Sequence, residues 1–215
     1  MFKQNITIVL ADDHPIMRNG MLKLLQDEGY DVVASVGNGA KALTQLVDKQ
    51  PKIALLDIEM PLLNAYEVIK KASESCPDTK FITMTYHKNK GYLLQAISIG
   101  VNGYLLKEDG VSEVNTCIDQ VLQGNMHIST SFSKTIIQSV EQEFKKIKLL
   151  TPTERVVIRL VAKGKSSQEI AHQLTMATRT VEKHRSNIIT KLDLQKDANI
   201  IAKWANEHRT IVDAL

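Results

Sequence analysis

The feature that most limits what this chain can fold into is the run Ile53-Ala54-Leu55-Leu56, which ends on Asp57 and is followed by Met60-Pro61. Four apolar residues without a polar break suit a strand covered on both faces, as in a parallel sheet flanked by helices. Asp57 then stands at the carboxyl end of that strand, the edge where open α/β sheets hold their ligands. Taken alone, an aspartate there is equally well read as the cap of the next turn. The rest of the first half decides between the two.

Strands are expected over residues 6–11, 32–36, 53–57, 81–85 and 103–107. Between them, helical spacing runs from Pro15, with Met17, Met21, Leu24 and Leu25 inward, and then over residues 40–49, 65–74, 91–99 and 111–123. Pro15 suits the first turn of its helix, and Gly100 suits a helix end. Strands and helices alternating at this length predict an α/β fold with a doubly wound parallel sheet.

The polar residues at the strand ends then form a set: Asp12 and Asp13, Asp57, Thr85 and Lys107. In a parallel sheet all of them lie at one edge. Three carboxylates there repel one another unless a hard cation sits among them, and Mg²⁺ takes oxygen ligands while leaving positions for phosphate. A carboxylate can accept a phosphoryl group as a nucleophile. That transfer needs neutralised phosphoryl oxygens more than acid or base chemistry, and Lys107 and Thr85 can help to supply this. His14, His87, Lys88 and Lys90 lie close in sequence and read as a helix-start residue and surface charges.

Charge divides the 215 residues unevenly. Residues 1–124 carry a net −3 and residues 125–215 a net +6. An acidic first part and a basic second part suit two domains, the second facing a polyanion. Cys76 and Cys117 form no paired motif, the apolar runs are too short to cross a bilayer, and no leader is apparent before the first strand. A cytoplasmic protein is the simple expectation.

Residues 125–148 break the rhythm and read as a linker with one helix, carrying Ile136, Ile137, Val140 and Phe144. From Leu150 onward the pattern is helical. Thr151-Pro152-Thr153-Glu154 has the form of a capping box. A short helix over 167–174, a turn at Met176-Ala177 and a longer helix over 178–192 suit a helix-turn-helix. Val181, Ile188 and Leu192 share one face of the long helix, while Arg179, Lys183 and Ser186 point mainly away from it. A fourth helix is expected over 198–206. A small four-helix interaction domain fits the same pattern.

The first half resembles the receiver domain of bacterial two-component response regulators, through Asp12-Asp13, Asp57 with Met60-Pro61, Thr85 and Lys107. The resemblance implies a (βα)₅ sheet of strand order 2-1-3-4-5 and phosphorylation of Asp57 by a histidine kinase. It also implies Mg²⁺ held by Asp13, Asp57 and the backbone carbonyl of Glu59, with Asp12 acting through water, and a switch role for Tyr104. Leu150-Thr151-Pro152, Glu169-Ile170-Ala171 and Thr180-Val181-Glu182-Lys183-His184 resemble the LuxR-type DNA-binding domain. The whole chain is thus similar to a NarL/FixJ-type regulator: receiver over 1–124, linker over 125–148, DNA-binding domain over 149–215. This resemblance implies a recognition helix over 178–192. Glu182, Lys183 and Ser186 would face bases, Arg179, Thr180 and Arg185 would lie at the margin, and Ile200, Ile201 and Trp204 would serve a homodimer on promoter DNA, although those three suit an internal core equally well. Two rivals stand beside this reading. One is a regulator that ignores phosphate, although every acid and Lys107 are present. The other is a carboxylate-nucleophile phosphatase using Glu59, against which Met60-Pro61 and the second domain weigh.

Overall fold

The computed structural model describes residues 3–195, 197 and 199–214. A 3₁₀ turn at Lys3–Asn5 leads into β1 (Thr7–Ala11), and then α1 (Pro15–Asp27), β2 (Asp31–Val36), α2 (Gly39–Lys49), β3 (Ile53–Asp57), α3 (Ala65–Ala72), β4 (Lys80–Thr85), α4 (Lys90–Ser98), β5 (Gly103–Leu106) and α5 (Val111–Leu122) follow in turn. The strands pair in parallel in the order β2-β1-β3-β4-β5. This is the doubly wound sheet that the alternating pattern predicts. Every residue of β3 is buried, as its unbroken apolar run requires. One face of the sheet, with Ile8, Leu10, Leu55, Ile82 and Leu105, shares a core with Met21 and Leu25 of α1 and Val114, Cys117 and Val121 of α5.

A sixth strand corrects the five-stranded expectation. β6 (His127–Ile128) pairs with β5 in parallel, His127 beside Gly103 and Ile128 beside Tyr104. Two residues cannot show an alternating pattern, so nothing local announces this strand. Tertiary bonds hold it: the Ser129 amide donates to the Tyr104 carbonyl at 2.8 Å, and His127 Nε2 lies 2.9 Å from Glu113 Oε1.

The second half is helical: α6 (Lys134–Lys148), α7 (Pro152–Ala162), α8 (Ser167–Gln173), α9 (Thr178–Leu192), α10 (Ile200–Glu207) and α11 (Arg209–Ala214). The fourth helix expected over 198–206 is α10, and Ala198 lies outside the described residues. The four-helix expectation is short by α11, whose Ile211 and Val212 are buried. By contacts, residues up to Tyr92 together with Ile99–Ser133 form one compact unit, and Leu93–Ser98 with Lys134 onward form another. The stretch 125–148 is therefore shared between them.

Thr151 and Ser166 each close a capping box, with Glu154 and Glu169 at the third helical position. Thr175, at φ +52°, turns the chain between α8 and α9. Glu154 has a second task. It is buried, and its Oε2 accepts both the Thr151 amide at 2.8 Å and the Lys191 ammonium of α9 at 2.7 Å. Burial pushes its pKa up, but Lys191 and Thr151 outweigh this and hold it below the ordinary value. A depressed acid stabilises the fold above the carboxylate range and loses that contribution as pH falls through its folded pKa. Glu154→Ala should therefore cost the helical unit about 1–3 kcal/mol in urea unfolding at neutral pH. The gap to wild type should narrow on acidification. A loss below about 0.5 kcal/mol would contradict this role.

Candidate functional site

The carboxyl edge of the sheet brings the expected residues together. β1 delivers Asp12 and Asp13, β3 delivers Asp57, β4 ends on Thr85, and Lys107 follows β5. Lys107 is buried to 1% side-chain exposure, with its ammonium 2.9 Å from Asp12 Oδ2 and 2.8 Å from Asp57 Oδ2. Asp12, Asp57 and Thr85 are buried too, while Asp13 is half-buried. Burial, with a smaller contribution from Asp12, outweighs the downward pull of Lys107 and the Glu59 amide and leaves the Asp57 carboxyl pushed up to about 6. Burial lowers the pKa of Lys107, but Asp57 and Asp12 more than offset this and leave it above its ordinary value.

The set fits a hard divalent cation. Ligand atoms of Asp12, Asp13, His14 and Asp57 all lie within 4.8 Å of one another. Asp13 Oδ1 and Asp57 Oδ2 are buried oxygens to which no aligned hydrogen-bond donor is directed; the short Lys107 contact is an ion pair rather than an aligned hydrogen bond. His14 is the N-cap residue of α1, as its place before Pro15 suggests, and its ring is 62% exposed. Yet its Nδ1 lies 2.7 Å from Asp13 Oδ1, so it borders the cluster more closely than a solvated residue would. The loop after Asp57 is positioned by Gly39: a Cβ there would stand 1.9 Å from the Leu63 carbonyl oxygen.

Thr85 Oγ1 accepts the His87 amide at 3.0 Å, and the Tyr104 hydroxyl donates to the His87 carbonyl at 3.3 Å. Tyr104 is fully buried. Three residues here escape sequence reasoning as a group. The Glu59 carboxylate accepts from the Tyr92 hydroxyl at 2.9 Å and lies 3.0 Å from His87 Nε2, while the His87 and Tyr92 rings stack at 4.6 Å. His87 reads as a surface charge, and nothing marks the Glu59 side chain as its partner, because Glu59 lies 28 residues from His87 and 33 from Tyr92, beyond any local pattern.

In the helical unit, Arg179, Thr180, Glu182, Lys183 and Ser186 of α9 are exposed, and Arg185 is half-buried. Val181, Ile188 and Leu192 are buried on the opposite face, as their spacing predicts. Arg179, Thr180, Glu182 and Lys183 line one shallow concavity with Ala177. Of the three residues expected at a dimer interface, Ile201 and Trp204 are 1% and 7% exposed and fill the unit's own core. Ile200 alone keeps partial exposure.

Comparison with known proteins follows this division. Residues 8–119 match the family model described as response regulator receiver domain, and residues 148–203 match bacterial regulatory proteins, luxR family. Similar relatives include the oxygen regulatory protein NreC of Staphylococcus epidermidis, 29% identical and covering 90% of this chain and 94% of that one. A putative transcriptional regulator of Pseudomonas aeruginosa is 30% identical, covering 95% and 99%. Among solved structures, a LuxR-family two-component response regulator from Aurantimonas is 27% identical with a TM-score of 0.57, over 64% of this chain and 96% of that one. RcsB of Salmonella enterica bound to promoter DNA is 23% identical with a TM-score of 0.56, over 93% and 97%. At that identity the likeness speaks for the fold.

The raised pKa of Asp57 has a measurable cost. An acid raised in the fold contributes stability while protonated and loses it as pH rises through the folded value, here about 6. In chelator, Asp57→Asn should melt at a higher temperature than wild type near pH 7.5, and the gap should close toward about pH 4. A variant that melts lower than wild type near neutrality would contradict the burial argument.

Proposed function

Because the chain belongs to the bacterial response regulators, DNA-binding proteins of two-component signalling that join a receiver to a luxR-type domain, we propose that its output is set by phosphorylation of Asp57. The observation that carries this reading is the Lys107 ammonium shared between the buried carboxylates of Asp12 and Asp57. The receiver comprises residues 1–124, the linker 125–148 and the DNA-binding domain 149–215.

Asp57 attacks the phosphoryl group of a histidine kinase's phosphohistidine or of a small acyl phosphate. An acyl phosphate forms on its carboxylate as the donor's bond to phosphorus breaks. Lys107 then exchanges its carboxylate partner for a phosphoryl oxygen. The Thr85 hydroxyl turns inward to donate to another phosphoryl oxygen, and Tyr104 follows it, so that its inward population rises. Asp13, Asp57 and the Glu59 carbonyl, with Asp12 beside them, would hold Mg²⁺, which would supply charge neutralisation on the phosphoryl oxygens. Glu59 does not serve as a leaving-group acid, since its carboxylate is engaged by Tyr92 and His87. The change is a shift between existing conformations.

On duplex DNA, α9 enters the major groove. Lys183, with Glu182 and Ser186, reads base edges, while Arg179, Thr180 and Arg185 hold the backbone. Two copies bind as a homodimer at half-sites about one helical turn apart. Of the expected dimer residues, Ile200 remains available to a second copy. Among the described residues no helix is long and apolar enough to cross a membrane, and we place the protein in the cytoplasm.

With acetyl phosphate and Mg²⁺, intact-mass measurement should show one added phosphoryl group on wild type and none on Asp57→Ala. Equal labelling of the alanine variant would overturn the assignment.

The DNA reading has its own test. Lys183→Ala should lose about 1–3 kcal/mol on a selected site and little on random duplex. Arg185→Ala should weaken both alike and flatten the salt dependence. Equal losses for Lys183→Ala on both duplexes would remove it as a base reader.

A further inference from the structure

Phe132 lies two residues before α6, in a stretch that sequence alone treats as linker. It is 5% exposed, and its ring meets that of Tyr104 edge to face at a centroid distance of 5.6 Å. Tyr104 has no exposed surface at all. Its hydroxyl bond to the His87 carbonyl, at 3.3 Å, is longer than a good O–H···O bond and cannot by itself hold the ring. Ring packing has to do so.

The backbone that leads into Phe132 is fastened at each residue from Ser129 onward. The Ser129 amide donates to the Tyr104 carbonyl at 2.8 Å, and the Phe132 amide donates to the Ser129 carbonyl at 3.1 Å. The Ser129 and Ser131 hydroxyls both donate to Asp109 Oδ1 at 3.0 Å. The other oxygen of Asp109 accepts the Leu106 amide at 2.7 Å, one residue before Lys107. Thr130 donates from its amide and its hydroxyl to Glu113, at 2.8 and 3.0 Å. Phe132 is thus a fixed wall, set by bonds to the segment that also carries Lys107. Tyr104 is the neighbour with a switch role.

We propose that Phe132 is a positioning residue of the phosphorylation switch: its ring edge holds Tyr104 in the inward pose beside Thr85 and His87. This rests on the reading of Asp57 as phosphoacceptor and adds to it. Residues 127–132 then belong to the signalling apparatus. Swinging outward would cost Tyr104 its edge-to-face contact, so the wall biases the switch before any phosphate arrives. Without the ring edge, the outward population of Tyr104 should rise about 3- to 10-fold, the range an aromatic pair of this kind supports.

The test uses the full chain labelled with 3-fluorotyrosine, read by fluorine NMR, with Tyr104→Phe identifying the Tyr104 signal. In Phe132→Leu that signal should move toward the solvent-exposed position and gain a solvent isotope shift. Mg²⁺ with beryllium fluoride should draw it part of the way back. Val121→Ala, a core truncation in α5, serves as the control for destabilisation alone and should leave the Tyr104 signal in place. Ser131→Ala, which loosens the fastening but keeps the ring, should give a smaller movement of the same sign and stands in should Phe132→Leu fail to fold. A Tyr104 signal unmoved in the folded variants, or moved equally by Val121→Ala, overturns the proposal and leaves Phe132 a core residue. A wild-type chain in which beryllium fluoride moves no signal would instead count against the phosphoacceptor reading, and the metal-free comparison of Phe132→Leu with wild type still decides the role of Phe132.

Discussion

A single lysine ammonium, buried between two carboxylates, sets the terms for the first unit. Removing water from Lys107, Asp12 and Asp57 is costly, and for Asp57 the attraction to Lys107 offsets that cost only in part, which leaves its pKa raised. Asp13, beside them, adds negative charge with no aligned donor for its Oδ1. The site is short of positive charge and short of donors. Such a set of oxygens suits a hard cation. The sheet makes this possible, because parallel pairing puts the ends of β1, β3, β4 and β5 at one edge.

The same site then has two ways to satisfy Lys107. Lys107 holds a carboxylate oxygen of Asp57, and under the proposed phosphorylation it would exchange that oxygen for a phosphoryl oxygen on the same side chain. Thr85 has a similar choice, since its hydroxyl accepts the His87 amide yet can donate elsewhere. His87 links these alternatives outward. Its amide is on Thr85, its carbonyl takes Tyr104, and its ring joins Glu59 and stacks on Tyr92. A small change of charge at Asp57 therefore reaches a set of aromatic side chains with few arrangements open to them.

The apolar runs made the strands legible, and the residues at their ends made the cluster of acids with Thr85 and Lys107 legible, because both are local facts that topology then assembles. Thr151-Pro152-Thr153-Glu154 likewise announced α7 through cap chemistry. What could not be read were features made by distant partners. β6 has two residues and no pattern, and it exists through bonds to β5, Glu113 and Asp109. Glu59, His87 and Tyr92 look like separate surface residues until the fold gathers them. Ile201 and Trp204, which the resemblance puts at a dimer interface and which suit a core equally well, are covered within their own unit, and only packing decides between core and interface.

The link between the buried ion pair and DNA is tested most directly by the ratio of DNA affinities with and without phosphorylation. It should be measured on a duplex that the phosphorylated wild type selects from a random pool, for wild type and for Lys107→Ala. Phosphorylation should tighten wild-type binding about tenfold, within the usual range of coupling between sites, and should change Lys107→Ala by less than about twofold. An equal gain in both proteins would show that Lys107 does not carry the signal, and no gain in either would contradict control of DNA binding by Asp57.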